Sequence, residues 1–272
     1  MRKFEIENHE PSMLPDGNWK LVWNDEFDGT ELDHTKWDYR MSMMGMRWPA
    51  WTDKGVHLDG NGNVVFTLML DENGNPVSSQ LQTGYNFMDE PVQKTTFGKE
   101  HLQWRIGKLK DNKFTHAHGY YECRCRLQQK EGWRTAFWIQ SPVIGASNNP
   151  ADTGVEIDIM ESFYPGEVHG HNVFTGGYGL DMDRRKVGGF DGVDTNEFHT
   201  FGLLWDETGY TYFVDGKEDG KITDFITSRP EFILISTEVT GYRLEDHTPV
   251  KEAFDNVGDT FVVDYVRVFE KE

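Results

Sequence analysis

Cysteine is nearly missing from this chain of 272 residues, which has two, Cys123 and Cys125. They stand two apart in a strand-like run, where side chains share a face but are badly placed for a strain-free bridge. A disulfide scaffold is therefore excluded and two buried thiols are expected. No cysteine–histidine spacing of the zinc-binding kind surrounds them. Long apolar runs are missing too. No stretch of about 18 apolar residues occurs, and the opening MRKFEIENHEP lacks the apolar centre of a signal peptide. Neither a membrane span nor a signal peptide is expected within these residues. Positive charge is scarce: 27 Lys and Arg against 46 Asp and Glu give a formal net charge of −19. Such a field repels polyanions, which excludes nucleic acid as a natural partner. A sustained 3.6-residue apolar period is also absent, so long helices are not expected.

What is abundant is aromatic side chains and short alternating segments. Aromatics make up 14% of the chain, with nine Trp, enough to fill a core and still present rings to a ligand. Residues 64–70 (VVFTLML) are framed on both sides by Asp, Asn and Gly, which is turn chemistry. Residues 120–127 alternate, with Tyr121, Cys123, Cys125 and Leu127 on one face and Glu122, Arg124 and Arg126 on the other. Residues 198–205, 210–215, 231–239 and 260–269 read as further strands. Many short strands joined by tight turns predict an all-β chain of two packed antiparallel sheets. It reads as one domain over residues 1–272, with residues 1–17 as an N-terminal extension. The methionine-rich run 41–46 and residues 85–112 read as long loops.

GVEIDIMES, residues 154–162, carries the chemistry. It plants three acids in an apolar run, at Glu156, Asp158 and Glu161. In a regular strand Glu156 and Asp158 share a face and Glu161, five residues after Glu156, points the other way. A β-bulge between Asp158 and Glu161 would absorb the odd residue and return Glu161 to the acidic face. Alternate side chains stand roughly 6 to 7 Å apart, so the outer pair could lean toward the separation of about 5 to 5.5 Å used by retaining glycosidases. An acid between them disfavours simultaneous ionisation and leaves one carboxylate beside one protonated acid. The plain alternative is a solvent-facing strand that happens to be acidic. Against it, Val155, Ile157, Ile159 and Met160 call for burial while the acids face one way.

This segment resembles the bulged active-site strand E-x-D-x-x-E of glycoside hydrolase family 16. Further stretches match that family in order along almost the whole chain: residues 23–37, HGYYECRCRL, WRTAFWIQSP, residues 198–217 and FVVDYVRVF. The resemblance implies a β-jelly-roll with a substrate groove on its concave face, Glu156 as nucleophile, Glu161 as acid/base and Asp158 as the residue that tunes them. It implies an endo-acting, retaining hydrolase of a polysaccharide, with a β-1,3 or mixed β-1,3/1,4-glucan first and an agar- or porphyran-type galactan as the alternative. A non-catalytic carbohydrate-binding sandwich would need the aromatics but has no use for two aligned glutamates. Transglycosylation would intercept the same intermediate with a sugar hydroxyl. Many laminarinase-like members carry a His after the active-site strand where this chain has Phe174, so His171 is the candidate to take part instead. No cofactor is needed. Some members bind a structural calcium on the convex side, and Glu26 and Asp264 occupy the matching places. The family's habits and a polymeric substrate favour a monomer acting outside the cytoplasm: secreted, periplasmic or at the cell surface.

Four tryptophans are candidates for stacking on sugar rings: Trp133 and Trp138 beside the acidic segment, and Trp48 and Trp51 in an irregular loop. Glu238 interrupts an apolar strand and is expected to face the groove and bind sugar hydroxyls. Arg124 is the candidate to steady a catalytic carboxylate through a charged hydrogen bond. Arg47, Arg184, Arg185 and Arg243 are the cations that could meet sulfate groups. The His169-x-His171 pair lacks a third ligand and does not define a zinc site.

Overall fold

Turn chemistry cuts the chain into strands as the sequence suggests. In a computed structural model of the protein, which describes residues 1–90 and 110–272, Asp59 Oδ1 accepts from the backbone N–H of Asn61 and Asn63. Asp71 does the same for Asn73 and Asn75. Between these two turns lie the strands Val64–Thr67 and Met69–Leu70. The methionine run is a small hairpin, Ser42–Met43 paired with Met46–Arg47, in place of an open loop. Of the long loop expected over residues 85–112, positions 91–109 lie outside the described residues. Helix among the described residues is confined to two short stretches, Pro150–Thr153 and Lys251–Asp255.

Two antiparallel sheets form a β-jelly-roll sandwich. Among the described residues the groove sheet has seven strands in the order Leu180–Val187, His171–Gly177, Glu156–Ser162, Trp133–Gln140, Phe232–Val239, Gln80–Gln82 and Asp38–Tyr39. The back sheet has eight, with Thr260–Lys271 at its centre pairing with Gly119–Arg126, Val64–Thr67 and Trp19–Asp25. Period-2 alternation then decides which side chains are core. Phe137, Ile139, Ile157, Val173, Ile233 and Ile235 meet Tyr121, Cys123, Cys125, Phe201, Leu203 and Trp205 in one continuous apolar cluster between the sheets. Both cysteines are buried and free, as their spacing predicts.

The opening residues are folded onto the back sheet. Arg2–Phe4 pairs with Ser12–Leu14, and Phe4 and Leu14 pack on Tyr120, Phe213 and Phe269. Beneath them lies a buried polar layer. Arg267 is wholly buried and donates to Glu26 Oε1 and Oε2 at 3.0 and 2.7 Å, to Glu10 O at 2.8 Å and to Ser12 Oγ at 2.9 Å. A buried guanidinium is tolerated only while its donors are satisfied. Deleting residues 1–14 removes two of those acceptors and uncovers Phe269, and is expected to lower the melting temperature by roughly 5 °C or more. An unchanged thermal melt would show that the hairpin contributes nothing.

Candidate active site

Gly154, at φ +70°, ends the short helix Pro150–Thr153 and turns the chain into the acidic strand Glu156–Ser162. A Cβ there would come within 2.4 Å of the Ser141 side chain, so the turn needs glycine. The acidic strand pairs with Trp133–Gln140, and the register slips where the sequence requires it to. Gln140 faces Glu156, Ile139 faces Ile157 and Trp138 faces Asp158, whereas Phe137 faces Met160 and Ala136 faces Glu161. Ile159 is the extra residue. It and Met160 are both fully buried in the core, two consecutive residues doing what one does in a regular strand, and Glu161 returns to the face of Glu156 and Asp158.

His171 fastens this bulge. A carbonyl can only accept, so the ring donates from Nδ1 to Ile159 O at 2.6 Å. Its Nε2 lies 3.1 Å from Asp219 Oδ2, and the ring stacks on Tyr212 of the back sheet with centroids 4.5 Å apart. Burial pushes the His171 pKa down, against the upward pull of the Ile159 carbonyl and Asp219. The expectation that His171 touches substrate is thus corrected, since it is fully buried between the sheets. Its neighbour His169 lines the groove instead, with Gly170 at φ +109° between the two.

The two glutamates face positions four residues apart on the neighbouring strand, roughly 13 Å along the backbone, with the shorter Asp158 between them. Gln140 donates to Glu156 Oε2 at 2.7 Å. Asn172, which stands opposite Asp158, reaches Glu161 Oε2 at 2.8 Å and also hydrogen-bonds Asp158. Burial raises all three carboxyls above the ordinary range. Asp158 is pushed furthest, by burial and then by the charges of Glu161 and Glu156, which favours its protonated form. Glu161 is pulled back in part by Arg134, His169 and Arg243. For Glu156, Arg40 and the Gln140 hydrogen bond offset burial. Two ionisable glutamates about a neutral aspartic acid can supply one attacking carboxylate and one proton donor.

These groups lie in a groove of about 470 Å³, walled by Trp138, Phe174, Tyr178, Met44 and Met182 among others. Past Arg134, Phe163, His169, Glu238 and Arg243 it opens into a second chamber of about 530 Å³. The even positions of Trp133–Gln140 face the groove and the odd ones face the core, and this sorts the tryptophans. Trp138 is on the groove floor, its Nε1 donating to Ser236 Oγ at 2.8 Å. Trp133 is corrected to a core residue: it is fully buried and donates to Asp259 Oδ2 at 2.9 Å. Trp48 and Trp51 are corrected as well. Both belong to the core cluster, because Arg47 staples their loop down by donating to the carbonyls of Met41, Trp48 and Trp51.

Glu238 does face the groove, but its oxygens are taken. Arg243 donates to both, at 2.8 and 2.7 Å, and Arg134 to Oε2 at 2.8 Å. Burial would raise its pKa, yet the charges of Arg134 and Arg243 and their hydrogen bonds hold it down to about 2. It anchors two arginines and has little left for sugar hydroxyls. Arg124 is corrected outright. It projects from the back sheet, pairs with Asp264 and lies over the Phe198 ring, with the core between it and the acidic strand. The residues not foreseen, Gln140, Asn172, Arg40, Arg134 and Tyr178, left one usable trace. Arg134, Ala136, Trp138 and Gln140 alternate on the strand next to the acids.

The calcium ligands implied by the family do not fit. Glu26 gives both oxygens to Arg267 and Oε1 to Asn24 as well, while Asp264 accepts from Arg124. Guanidinium groups thus already meet the charge that a cation would neutralise. Among the described residues no cluster of three or more His, Cys, Asp or Glu is arranged to hold a metal.

An open groove lined by two glutamates with an aspartate between them is the equipment of an enzyme that cuts glycan chains. Residues 49–228 match the profile described as glycosyl hydrolases family 16, and the chain belongs to that family. It is 29% identical to a β-glucanase of Rhodothermus marinus over 93% of this chain and 85% of that protein. It is 26% identical to the glucan endo-1,3-β-glucosidase A1 of Niallia circulans over 93% of this chain, although it spans only 38% of that relative's length. Its fold superposes on the catalytic domain of an endo-1,3-β-glucanase (laminarinase) from Thermotoga petrophila with a TM-score of 0.62, at 21% identity, covering 94% of this chain and all of that one.

Two outcomes follow from the geometry. His171→Ala leaves the Ile159 carbonyl buried and unpaired, at a cost of about 1–3 kcal/mol, and is expected to lower kcat at least about tenfold with KM little changed. His171→Asn, which keeps a donor, should recover part of the loss, and a His171→Ala enzyme with normal kcat would contradict the role given to the clamp. Chelation with EDTA is expected to leave the melting temperature unchanged; a fall reversed by added calcium would contradict the arginine-for-cation reading.

Proposed function

We propose that the protein is a retaining endo-β-glucanase that cuts internal β-1,3 or mixed β-1,3/1,4 linkages of a polysaccharide. The single observation that carries this reading is the slip at Ile159 that gathers Glu156, Asp158 and Glu161 on the groove face. Ionised Glu156 attacks the anomeric carbon as the bond to the leaving sugar breaks, and Glu161 gives its proton to the departing oxygen. Glu161, now a carboxylate, then takes a proton from water. The water oxygen replaces Glu156 at the anomeric carbon, which restores both residues. Asp158, neutral and between them, keeps two negative charges from crowding. No metal enters these steps.

A neutral glucan is favoured over a sulfated galactan by how the groove arginines are used. Arg40 is paired with Asp89, and Arg134 and Arg243 share Glu238. Arg184 lies over the Phe174 ring. Most of the local positive charge is already balanced inside the protein. The names of the two curated relatives described above, both glucanases, support the same choice. A polymeric substrate favours action outside the cytoplasm by a monomer, and no helix among the described residues is long and apolar enough to cross a membrane.

Glu156→Gln and Glu161→Gln are each expected to lower turnover of laminarin or lichenan by about 10²- to 10⁴-fold while oligosaccharide binding persists. The wild-type rate should be bell-shaped in pH. It is lost on the acid side as Glu156 gains a proton and on the basic side as Glu161 loses one, and burial places both limbs above the ordinary carboxyl range. Release of reducing ends from agarose or porphyran alone would overturn the glucan reading, and full activity of either variant would remove that residue from its role.

A further inference from the structure

The loop tryptophan that fails to reach the groove encloses a cation that does. Arg40 follows the edge strand Asp38–Tyr39, and its backbone N–H is fixed on Gln80 O at 3.0 Å. Its guanidinium lies 5.1 Å from the centre of the Trp51 ring and 5.3 Å from that of Trp138. Nη2 donates to Asp89 Oδ2 at 2.8 Å. Asp89 is itself held by the Met44 backbone N–H at 3.1 Å and by the Tyr178 hydroxyl. Trp138 and Gln140 occupy successive same-face positions on their strand, and Gln140 is the residue opposite Glu156 that hydrogen-bonds it. Arg40, Trp138, Gln140 and Glu156 all line the same groove, so the clamped cation and the Glu156 carboxyl face one space.

We propose that Arg40 is a positioning residue whose fixed positive charge keeps Glu156 ionised for attack, and that Trp51 and Trp138 serve the reaction by clamping that cation in place. This rests on the assignment of Glu156 as nucleophile. Asp89 takes the Nη2 end of the guanidinium, two aromatic faces hold the rest without neutralising it, and a planar fork is fixed more firmly against such rings than a lysine would be. The other groups facing Glu156 do not do this work. Asp158, Glu161 and the fully buried Glu231 are acids, and Tyr178 is a phenol kept neutral by burial. Arg243, the second cation felt at Glu156, acts on it more weakly than Arg40. Arg40 is the strongest of the influences that favour the ionised form of Glu156, ahead of the Gln140 hydrogen bond, with burial the larger force in the opposite direction. Arg40 itself stays charged: burial pulls its pKa down, but Asp89 and Glu156 more than restore it.

The test is the pH dependence of kcat/KM on a soluble β-glucan for the wild type, Arg40→Gln, Arg40→Lys and the double variant Arg40→Met with Asp89→Asn. The double variant leaves no buried carboxylate unpaired and keeps an unbranched side chain between the rings, so it guards against a fold made unstable by Arg40→Gln alone. Removing the cation raises the Glu156 pKa, so in Arg40→Gln and in the double variant the acid limb should move to higher pH by about one unit, a tenfold loss of rate on that limb. The basic limb, set by Glu161, should move much less. Arg40→Lys should keep the acid limb near that of the wild type. A residue that only braced the fold would lower the whole profile without displacing one limb. If both charge-removing variants keep the wild-type acid limb, the proposal is overturned. Failure of the underlying mechanism would show separately, as undiminished turnover by Glu156→Gln.

Discussion

The hydrogen bond from His171 Nδ1 to the Ile159 carbonyl holds the one place where the acidic strand falls out of register with Trp133–Gln140. Without the extra residue, Glu161 would point into the sandwich core with no partner for its charge, and Glu156 would face the groove without a proton donor. A bulge leaves a backbone group outside the ladder, and buried carbonyls seek a donor. The imidazole answers that need from the core side, pressed flat against Tyr212 of the back sheet. Catalytic geometry on one face is thereby tied to sheet-on-sheet packing on the other.

Electrostatics in the groove follow from that arrangement. Three carboxyls at one buried spot cannot all ionise, and the fold settles the matter by giving each a different set of neighbours. Asp158 sits deepest and between two acids, which favours its protonated form. Glu161 has Asn172, with Arg134 and His169 nearby. Glu156 has Gln140 and the clamped Arg40. Glu238, a fourth acid on the same face, is removed from contention by two arginines. A net charge of −19 over the chain thus coexists with a site where charges are paired almost one for one.

The sandwich was legible because period-2 alternation and Asp/Asn/Gly turns are local signals. Both cysteines, the strand pattern and the bulge could be read from spacing alone. The same rule, applied more strictly, separates Trp133 from Trp138: five residues apart in an unbulged strand, they must face opposite ways, and only Trp138 meets the groove. Trp48 and Trp51 were harder, because the loop that carries them gives no sign of the Arg47 staple that turns their rings inward. Arg124 was misplaced because alternation tells which face a side chain takes but not which sheet the strand joins. Arg40 and Asp89 are 49 residues apart, and their pairing has no trace in either neighbourhood.

The most direct test of the account is the anomeric form of the first sugar released. The proposed roles of Glu156 as nucleophile and Glu161 as acid/base make the reaction a double displacement, which keeps the configuration of the bond that was cut. Proton NMR in the first minutes of β-glucan hydrolysis, before mutarotation, should show the new reducing ends as the β-anomer. Initial appearance of the α-anomer would mean single displacement by water, and would contradict the roles proposed for Glu156 and Glu161.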